Sequence, residues 1–113
     1  MKDCELYDKN NLSYFRYVNP TPDAKQKLGT YSIPIAVKQM IFRHSQANLS
    51  FDWHCAPQKQ FIIYLSGSVS IEASGGETKI FNAGDVLLAN DLKGKGHIST
   101  TCEEGQAIIV VAA

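Results

Sequence analysis

The sequence has no net charge and no long hydrophobic run. Its 113 residues include 11 basic and 11 acidic side chains, so the formal net charge at pH 7 is zero. Nucleic acids and acidic membrane surfaces are attracted by an excess of positive charge, which this chain lacks. No apolar stretch is long enough to cross a bilayer, and the polar start Met1–Glu5 lacks the apolar segment of a signal peptide. We therefore expect a cytoplasmic protein that binds neither nucleic acid nor membrane.

Cysteine is also scarce, and helical periodicity and repeats are lacking. Cys4, Cys55 and Cys102 are odd in number and form no CxxC pair, so they predict reduced thiols rather than a disulfide framework. The composition, 44% hydrophobic and 19% charged, is that of an ordinary globular protein. A chain of this length without repeats or linkers predicts one domain.

What the sequence does contain is a regular series of strand signals. From about residue 37 onward, apolar or alternating segments recur roughly every eight to twelve residues, the spacing of an all-β sandwich or barrel. Gly75-Gly76 between two of these segments predicts a tight hairpin turn. The predicted strands are Val37–Arg43, Asn48–His54, Gln60–Ser66, Ser68–Ser74, Thr78–Phe81, Val86–Ala89, His97–Cys102 and Ala107–Val111.

The first 36 residues are more polar, and we interpret them as an N-terminal arm of the same domain. Tyr14–Val18 predicts an edge strand within this arm, and Ala24–Leu28 a helical turn. Because a small sandwich leaves strand edges open, an edge strand or the arm can pair across a two-fold axis. We therefore expect a homodimer.

Two neighbourhoods carry residues suited to binding chemistry. In the first, His54 is followed six residues later by Gln60 and seven residues after that by Gly67. In the second, the turn residues Gly84-Asp85 begin an apolar strand that leads through a glycine-rich loop to His97. Imidazoles are common metal ligands, and either ring nitrogen can also transfer a proton.

The order of these residues resembles the two sequence motifs of the cupin family, over roughly residues 37 to 111. The resemblance implies a small single-domain cupin, which is an all-β double-stranded β-helix (an RmlC-like jelly-roll barrel) with a short N-terminal arm. Residues 1–36 would form the arm and edge strands, and residues 37–113 the cupin barrel. In typical members the motif residues hold one divalent metal ion in the barrel mouth. Here His54, Gln60 and His97 fall at matching positions.

Two positions depart from the family pattern. Ala56 stands where the second histidine of the first motif is expected, and Gln60 stands where a glutamate is expected. A neutral amide oxygen is a poorer ligand for a divalent cation than a carboxylate. We therefore expect a weak or partial metal site of unspecified metal identity. In the absence of metal, Gln60 would hydrogen-bond His54 and fix its tautomer.

Strand parity predicts further residues of the pocket, because residues an even number apart on a strand share a face. Tyr64 shares a face with Gln60, and Ser99 and Thr101 share a face with His97. If the motif residues point into the barrel, these three side chains line the same ligand pocket.

Two further side chains are candidates for the pocket. His44, which shares a face with Met40 and Phe42, is a candidate to replace the missing ligand from a neighbouring strand. Lys95, in the loop before His97, is a candidate contact for an anionic ligand. For His44 a surface position is the simpler interpretation.

Three functions fit these features. The first is a small-molecule-binding cupin with a weak or partial divalent-metal site, in the class of oxygenases or isomerases acting on a small polar metabolite. The second is a non-catalytic ligand sensor or accessory cupin. The third is a metal-free, sugar-nucleotide-isomerase-like cupin, to whose strand pair Leu65–Ser70 is similar; the lack of a base at Ala56 argues against it. No catalytic residue follows from the motifs, and enzyme and non-enzyme interpretations both stay open.

Overall fold

The computed structural model describes residues 3–19, 22–26 and 28–113, and this part of the chain is all-β. Its strands are β1 (Asp3–Lys9), β2 (Leu12–Val18), β3 (Pro22–Gln26), β4 (Gly29–Ser32), β5 (Val37–Ser45), β6 (Ser50–His54), β7 (Gln60–Tyr64), β8 (Ser68–Ala73), β9 (Thr78–Asn82), β10 (Val86–Asn90), β11 (His97–Glu103) and β12 (Gly105–Ala112). Within these ranges there is no helix of the length and apolar character needed to cross a membrane.

Two sheets make up most of the fold. The six-stranded sheet has the order β2-β1-β10-β7-β12-β5, and the four-stranded sheet has the order β6-β11-β8-β9. From β5 onward the chain passes back and forth between these two sheets, and only the hairpin β8–β9 stays within one of them. The hairpin β3–β4 forms a separate two-stranded sheet. The arrangement is that of a β-sandwich with one core between two layers.

The strand predictions from Val37 onward are confirmed, with ends that differ by no more than two residues. The predicted edge strand Tyr14–Val18 is also present, as the major part of β2 at one edge of the six-stranded sheet. The prediction of a helical turn near Ala24–Leu28 is wrong where the structure describes it, because Pro22–Gln26 pairs with β4. Interstrand pairing satisfies the backbone groups of so short a segment better than one isolated helical turn does. Residue 27 lies outside the described part.

The arm is built into the sandwich through its first strand. β1 pairs in parallel with β10 and antiparallel with β2, so both strands extend the six-stranded sheet. Leu6 of β1 is fully buried, and Phe15 of β2 packs against the same core. Burial of one such aliphatic side chain stabilises a fold by about 1.5–3 kcal/mol.

The core lies between the two sheets and takes side chains from both. Tyr64 of β7 stacks on Phe81 of β9 with the ring centroids 5.4 Å apart. Register identifies the inner face of the six-stranded sheet, since buried Ile62 pairs with Leu87 on one side and with Ile109 on the other. Residues that alternate with these along each strand lie on the outer face of the sheet.

A buried carboxylate fixes the position of β1 on the outer face. Glu5 accepts hydrogen bonds from Arg16 Nε at 2.8 Å and from Asn90 Nδ2 at 2.9 Å. Burial alone would raise the pKa of Glu5, but the hydrogen bonds from Arg16 and Asn90 outweigh it and the pKa is lowered. A carboxyl whose folded pKa is depressed adds stability above its unfolded pKa and loses it as the pH falls through the folded value.

Substitution of Glu5 by Gln is therefore expected to cost about 1 kcal/mol at pH 7 through the lost charge-assisted hydrogen bonds. It should also weaken the loss of stability below pH 4.5, the unperturbed value for glutamate. Urea unfolding between pH 3 and pH 7 measures both effects, with exposed Glu72→Gln as the matched control. If both variants lost stability equally as the pH fell, the stabilising role of the ionised Glu5 carboxylate would be contradicted.

Candidate functional site

Two of the histidines singled out in the sequence meet at one end of the sandwich. His97 on β11 is the register partner of His54 on β6, and the two ring centroids lie 4.3 Å apart. Side chains directly opposite each other on paired strands project from the same face, so both rings point the same way. His97 is buried and His54 half-buried, with the Phe51 ring 3.9 Å from the His54 ring.

The hydrogen bonds of the two imidazoles assign their tautomers. His54 Nδ1 lies 2.7 Å from the Asp52 carbonyl oxygen, which can only accept, so Nδ1 carries the proton that it donates. His97 Nδ1 is hydrogen-bonded to a carboxylate oxygen of Asp91, which also accepts when ionised. In the neutral form each Nε2 therefore keeps a free lone pair. Two such nitrogens can bind a cation or accept a proton from a ligand.

Asp91 is the site residue that the sequence analysis missed. It is fully buried, and its Oδ1 has no hydrogen-bond partner among the described residues, while Oδ2 is bonded to His97. Its backbone carbonyl accepts a hydrogen bond from Ala56 N at 3.1 Å, which ties the loop after β10 to the end of β6. The available signal was an acidic residue beside the apolar run Val86–Ala89, because such a side chain is buried only when it has a partner.

The close approach of the two histidine strands depends on Gly96. A Cβ atom added to this residue would lie 2.0 Å from the His54 carbonyl oxygen, and its φ is +79°. The Gly96 carbonyl also accepts a hydrogen bond of 2.6 Å from the buried Ser13 hydroxyl. β2 is thereby connected to the residue that precedes His97.

Gln60 lies at the same end of the sandwich, on the inner face of the six-stranded sheet. It pairs with Ala89 in one direction and with Val111 in the other, and Ala89 precedes Asp91 by two residues. Among the described residues no hydrogen bond joins the Gln60 amide to either imidazole. The structure therefore brings His54 and His97 into contact and places Gln60 on the other sheet, without a hydrogen bond to them among the described residues.

The predicted pocket residues Tyr64, Ser99 and Thr101 lie further along the inner faces. Ser99 and Thr101 line a cavity of about 250 Å³ that also reaches His54 and Phe51. Tyr64 is buried and lines an adjoining space of about 10 Å³ with Thr101. Ser99 and Thr101 therefore share a cavity with His54, and Tyr64 adjoins it through Thr101.

His44 and Lys95 lie elsewhere. His44 shares the outer face of the six-stranded sheet with Met40 and Phe42, and its Nε2 is 2.8 Å from the exposed Glu104 carboxylate. The Lys95 ammonium lies 4.4 Å from the centroid of the Trp53 ring. Trp53 precedes His54 on β6 and so projects from the opposite face. The structure brings neither side chain to the histidine pair.

The side chains near the histidine pair supply part of a divalent-metal site. Two imidazole Nε2 atoms suit the metal, and the buried Asp91 is a typical outer partner that orients a ligating histidine. Among the residues that the structure describes, however, no three or more His, Cys, Asp or Glu side chains are grouped to hold a metal ion. The set is therefore two imidazoles with a nearby amide, and no anionic ligand completes it.

Comparisons with known proteins agree with the fold at a coarse level. No protein-family model and no curated protein matches the chain. A crystal structure of a conserved protein of unknown function from Streptococcus pyogenes matches with a TM-score of 0.50 and 21% sequence identity. The match covers 66% of this chain and 74% of that protein. At this identity the likeness concerns the fold alone, an all-β fold with two main sheets.

Proposed function

We propose that this protein is a small-molecule-binding cupin in which His54 and His97 form a two-imidazole centre that holds a divalent metal weakly. The observation that carries the proposal is the contact between the two rings, whose centroids lie 4.3 Å apart on one face of the sheet. Each Nδ1 is bonded to an acceptor, so each Nε2 is available in one interior. The passage of the chain between two sheets from β5 onward supports the cupin assignment, since a double-stranded β-helix requires it.

The weakness of the metal site follows from its charges. Two neutral imidazoles and the Gln60 amide supply no negative charge, so water or the bound ligand must complete the coordination. Asp91 would hold His97 in the tautomer that presents Nε2, through its bond to Nδ1, without being a ligand itself. A bound metal would act as a Lewis acid on a ligand oxygen in the cavity.

Calorimetric titration with Zn²⁺, Ni²⁺ and Mn²⁺ tests the metal centre. Wild type is expected to bind weakly, and His97→Ala should abolish binding because one of two imidazoles is lost. Gln60→Glu should tighten binding by roughly tenfold or more, equivalent to ~1.4 kcal/mol, because it adds an anionic ligand at nearly unchanged shape. The matched control is Gln106→Glu, which adds the same charge on the outer face.

Two results would contradict the metal centre. One is Gln60→Glu binding no tighter than wild type, and the other is an equal gain in Gln106→Glu, which would reveal a general charge effect. In either case His54 and His97 would revert to hydrogen-bonding residues of a ligand pocket.

A second candidate function is metal-free acid–base catalysis of the isomerase type, and the buried Asp91–His97 hydrogen bond favours it. A buried carboxylate that holds the Nδ1 proton leaves Nε2 as a general base. Nitrogen-15 NMR of the histidine rings during zinc titration separates the two candidates. A zinc-dependent shift of Nε2 in both rings supports the metal centre, whereas unchanged Nε2 signals support the metal-free candidate.

We also propose that a second copy of the chain covers the outer face of the six-stranded sheet. This face carries two complete cross-strand rows of apolar residues, which we call the outer apolar rows. They are Met40–Val110–Phe61–Leu88 and Phe42–Ile108–Ile63–Val86. Met40 is 59% exposed and Phe42 is 71% exposed, although both belong to rows that are apolar throughout.

Size and charge favour a second copy as the occupant. Six strands ~4.8 Å apart and about seven residues long present a face of roughly 650 Å², of which the four strands that carry the outer apolar rows supply about two thirds, against the ~800 Å² per partner of a stable dimer. Because the chain has no net charge, two copies do not repel each other. This surface includes the edge strand β5, and it is more apolar than the Tyr14–Val18 edge that the sequence analysis favoured.

A further inference from the structure

The interior of the sandwich contains a second polar cluster, about 13 Å from the histidine pair along β11, since Thr101 and His97 are four residues apart. Arg43 on β5 pairs with Ala107, which in turn pairs with Tyr64, so register places all three on the inner face. Arg43 and Thr101 both line the cavity of about 250 Å³ that extends to His54.

Two groups of this cluster have bonding capacity that the described residues do not fill. The Tyr64 hydroxyl is buried and makes no well-formed hydrogen bond in the described part of the chain, although Arg43 lies close enough to interact with it. No carboxylate of the described residues forms an ion pair with Arg43, which is half-buried. Burial raises the pKa of Tyr64, and the nearby Arg43 cation opposes this shift without cancelling it. A buried hydroxyl donor and an unpaired guanidinium in one space are costly unless a ligand satisfies them.

We propose that Arg43 and Tyr64 form a subsite for the carboxylate group of a small organic acid whose remainder lies in the cavity that extends to His54. This inference rests on the proposed small-molecule function and names its ligand class. The planar guanidinium matches a carboxylate in a bidentate geometry, and the Tyr64 and Thr101 hydroxyls can donate to the same oxygens. The cavity volume is close to the lower end of the range for small-molecule sites.

The charge of the subsite favours a carboxylate over a phosphate. Arg43 is its one cation among the described lining residues, and Glu103 lines the adjoining space with Arg43 and Tyr64. The Glu103 carboxylate accepts a hydrogen bond of 3.1 Å from Ser68 and adds negative charge beside the arginine. A phosphate group would bring up to two negative charges next to Glu103, whereas each carboxylate group brings one charge, which a single guanidinium matches.

The test follows the arginine Nε–H signals by NMR while the full chain is titrated with succinate, succinamide or inorganic phosphate. Succinate should shift the Arg43 signal saturably, and the neutral succinamide should leave it unchanged. Arg43→Lys should weaken succinate binding by roughly tenfold, since lysine cannot form the bidentate pair, and Tyr64→Phe by roughly threefold. Arg16→Lys, which changes the other arginine, on the outer face, is the matched control and should bind like wild type.

Each outcome bears on the proposal. No saturable Arg43 shift with succinate, an equal response to succinamide, or tighter binding of phosphate would overturn the carboxylate subsite. Zinc binding with no response of Arg43 to succinate would remove the subsite and leave the two-imidazole centre standing. A response of Arg43 to succinate without zinc binding would retain the subsite and remove the metal centre.

Discussion

A protein in which Met40 and Phe42 are both replaced by glutamate is expected to sediment as a monomer at concentrations where wild type is a dimer. The two side chains are the most exposed members of the outer apolar rows. Two carboxylates placed within an apolar contact must be desolvated without partners, at a cost of several kcal/mol per subunit. Light scattering should give about 25 kDa for wild type, twice the 12.5 kDa of the chain, and half that mass for the variant.

The matched control replaces two exposed apolar residues away from this face. Ile80 is 60% exposed on the edge strand β9 of the other sheet, and Leu92 is 42% exposed in the loop after β10. The double variant Ile80→Glu, Leu92→Glu should stay dimeric. A monomeric wild type at tens of micromolar, or a control variant that dissociates as readily, would show that the outer apolar rows are not the contact.

Gly96→Ala is expected to be the most destabilising single substitution near the histidine pair. The added Cβ would clash with the backbone oxygen of His54, and movement is restricted because Asp91 holds the His97 side chain and Ser13 holds the Gly96 carbonyl. Relief requires the two histidine strands to separate, so we expect a loss of about 3–5 kcal/mol in the free energy of unfolding.

Gly76→Ala separates the clash from the backbone strain. Gly76 also has a positive φ, +112°, but an added Cβ would meet nothing within 4 Å. Its substitution should cost only the conformational strain, about 1–2 kcal/mol. Urea denaturation of both variants measures the difference. Equal losses would mean that the contact between Gly96 and His54 does not determine the local structure, and an insoluble Gly96→Ala beside a soluble Gly76→Ala agrees with the expectation.

Much of the strand layout could be predicted from the sequence, because apolar alternation and glycine turns are local signals. Parity also grouped His44 with Met40 and Phe42, but it could not decide which face of β5 is inner. Both faces of this strand carry apolar residues, with Ile41 on the inner face and Phe42 on the outer face, so only the register with β12 resolves the choice. The expectation that His44 reaches the pocket depended on that choice.

Other parts of the candidate site depend on contacts between distant segments. The partner of His97 is Asp91, which belongs to a loop whose conformation is fixed by its bond to Ala56. Lys95 stacks on Trp53 because β6 presents that ring on its outer side, and nothing in the loop sequence indicates this. Pairings of this kind arise from tertiary structure, so local pattern cannot supply them.

The parallel pairing of β1 with β10 has a consequence for the order of folding. Glu5 and Asn90, which this pairing brings together, are 85 residues apart in the sequence, and Ser13 and Gly96 are 83 residues apart. Contacts of such long range are slow to form because the entropy of closing the loop is lost before the contact stabilises the chain. During synthesis the first two strands leave the ribosome early but have no β10 to pair with until most of the chain has followed. Leu6 and Phe15 can pair with each other in the β1–β2 hairpin, but they stay without their contacts to the core until β10 has been made, and the six-stranded sheet is completed late.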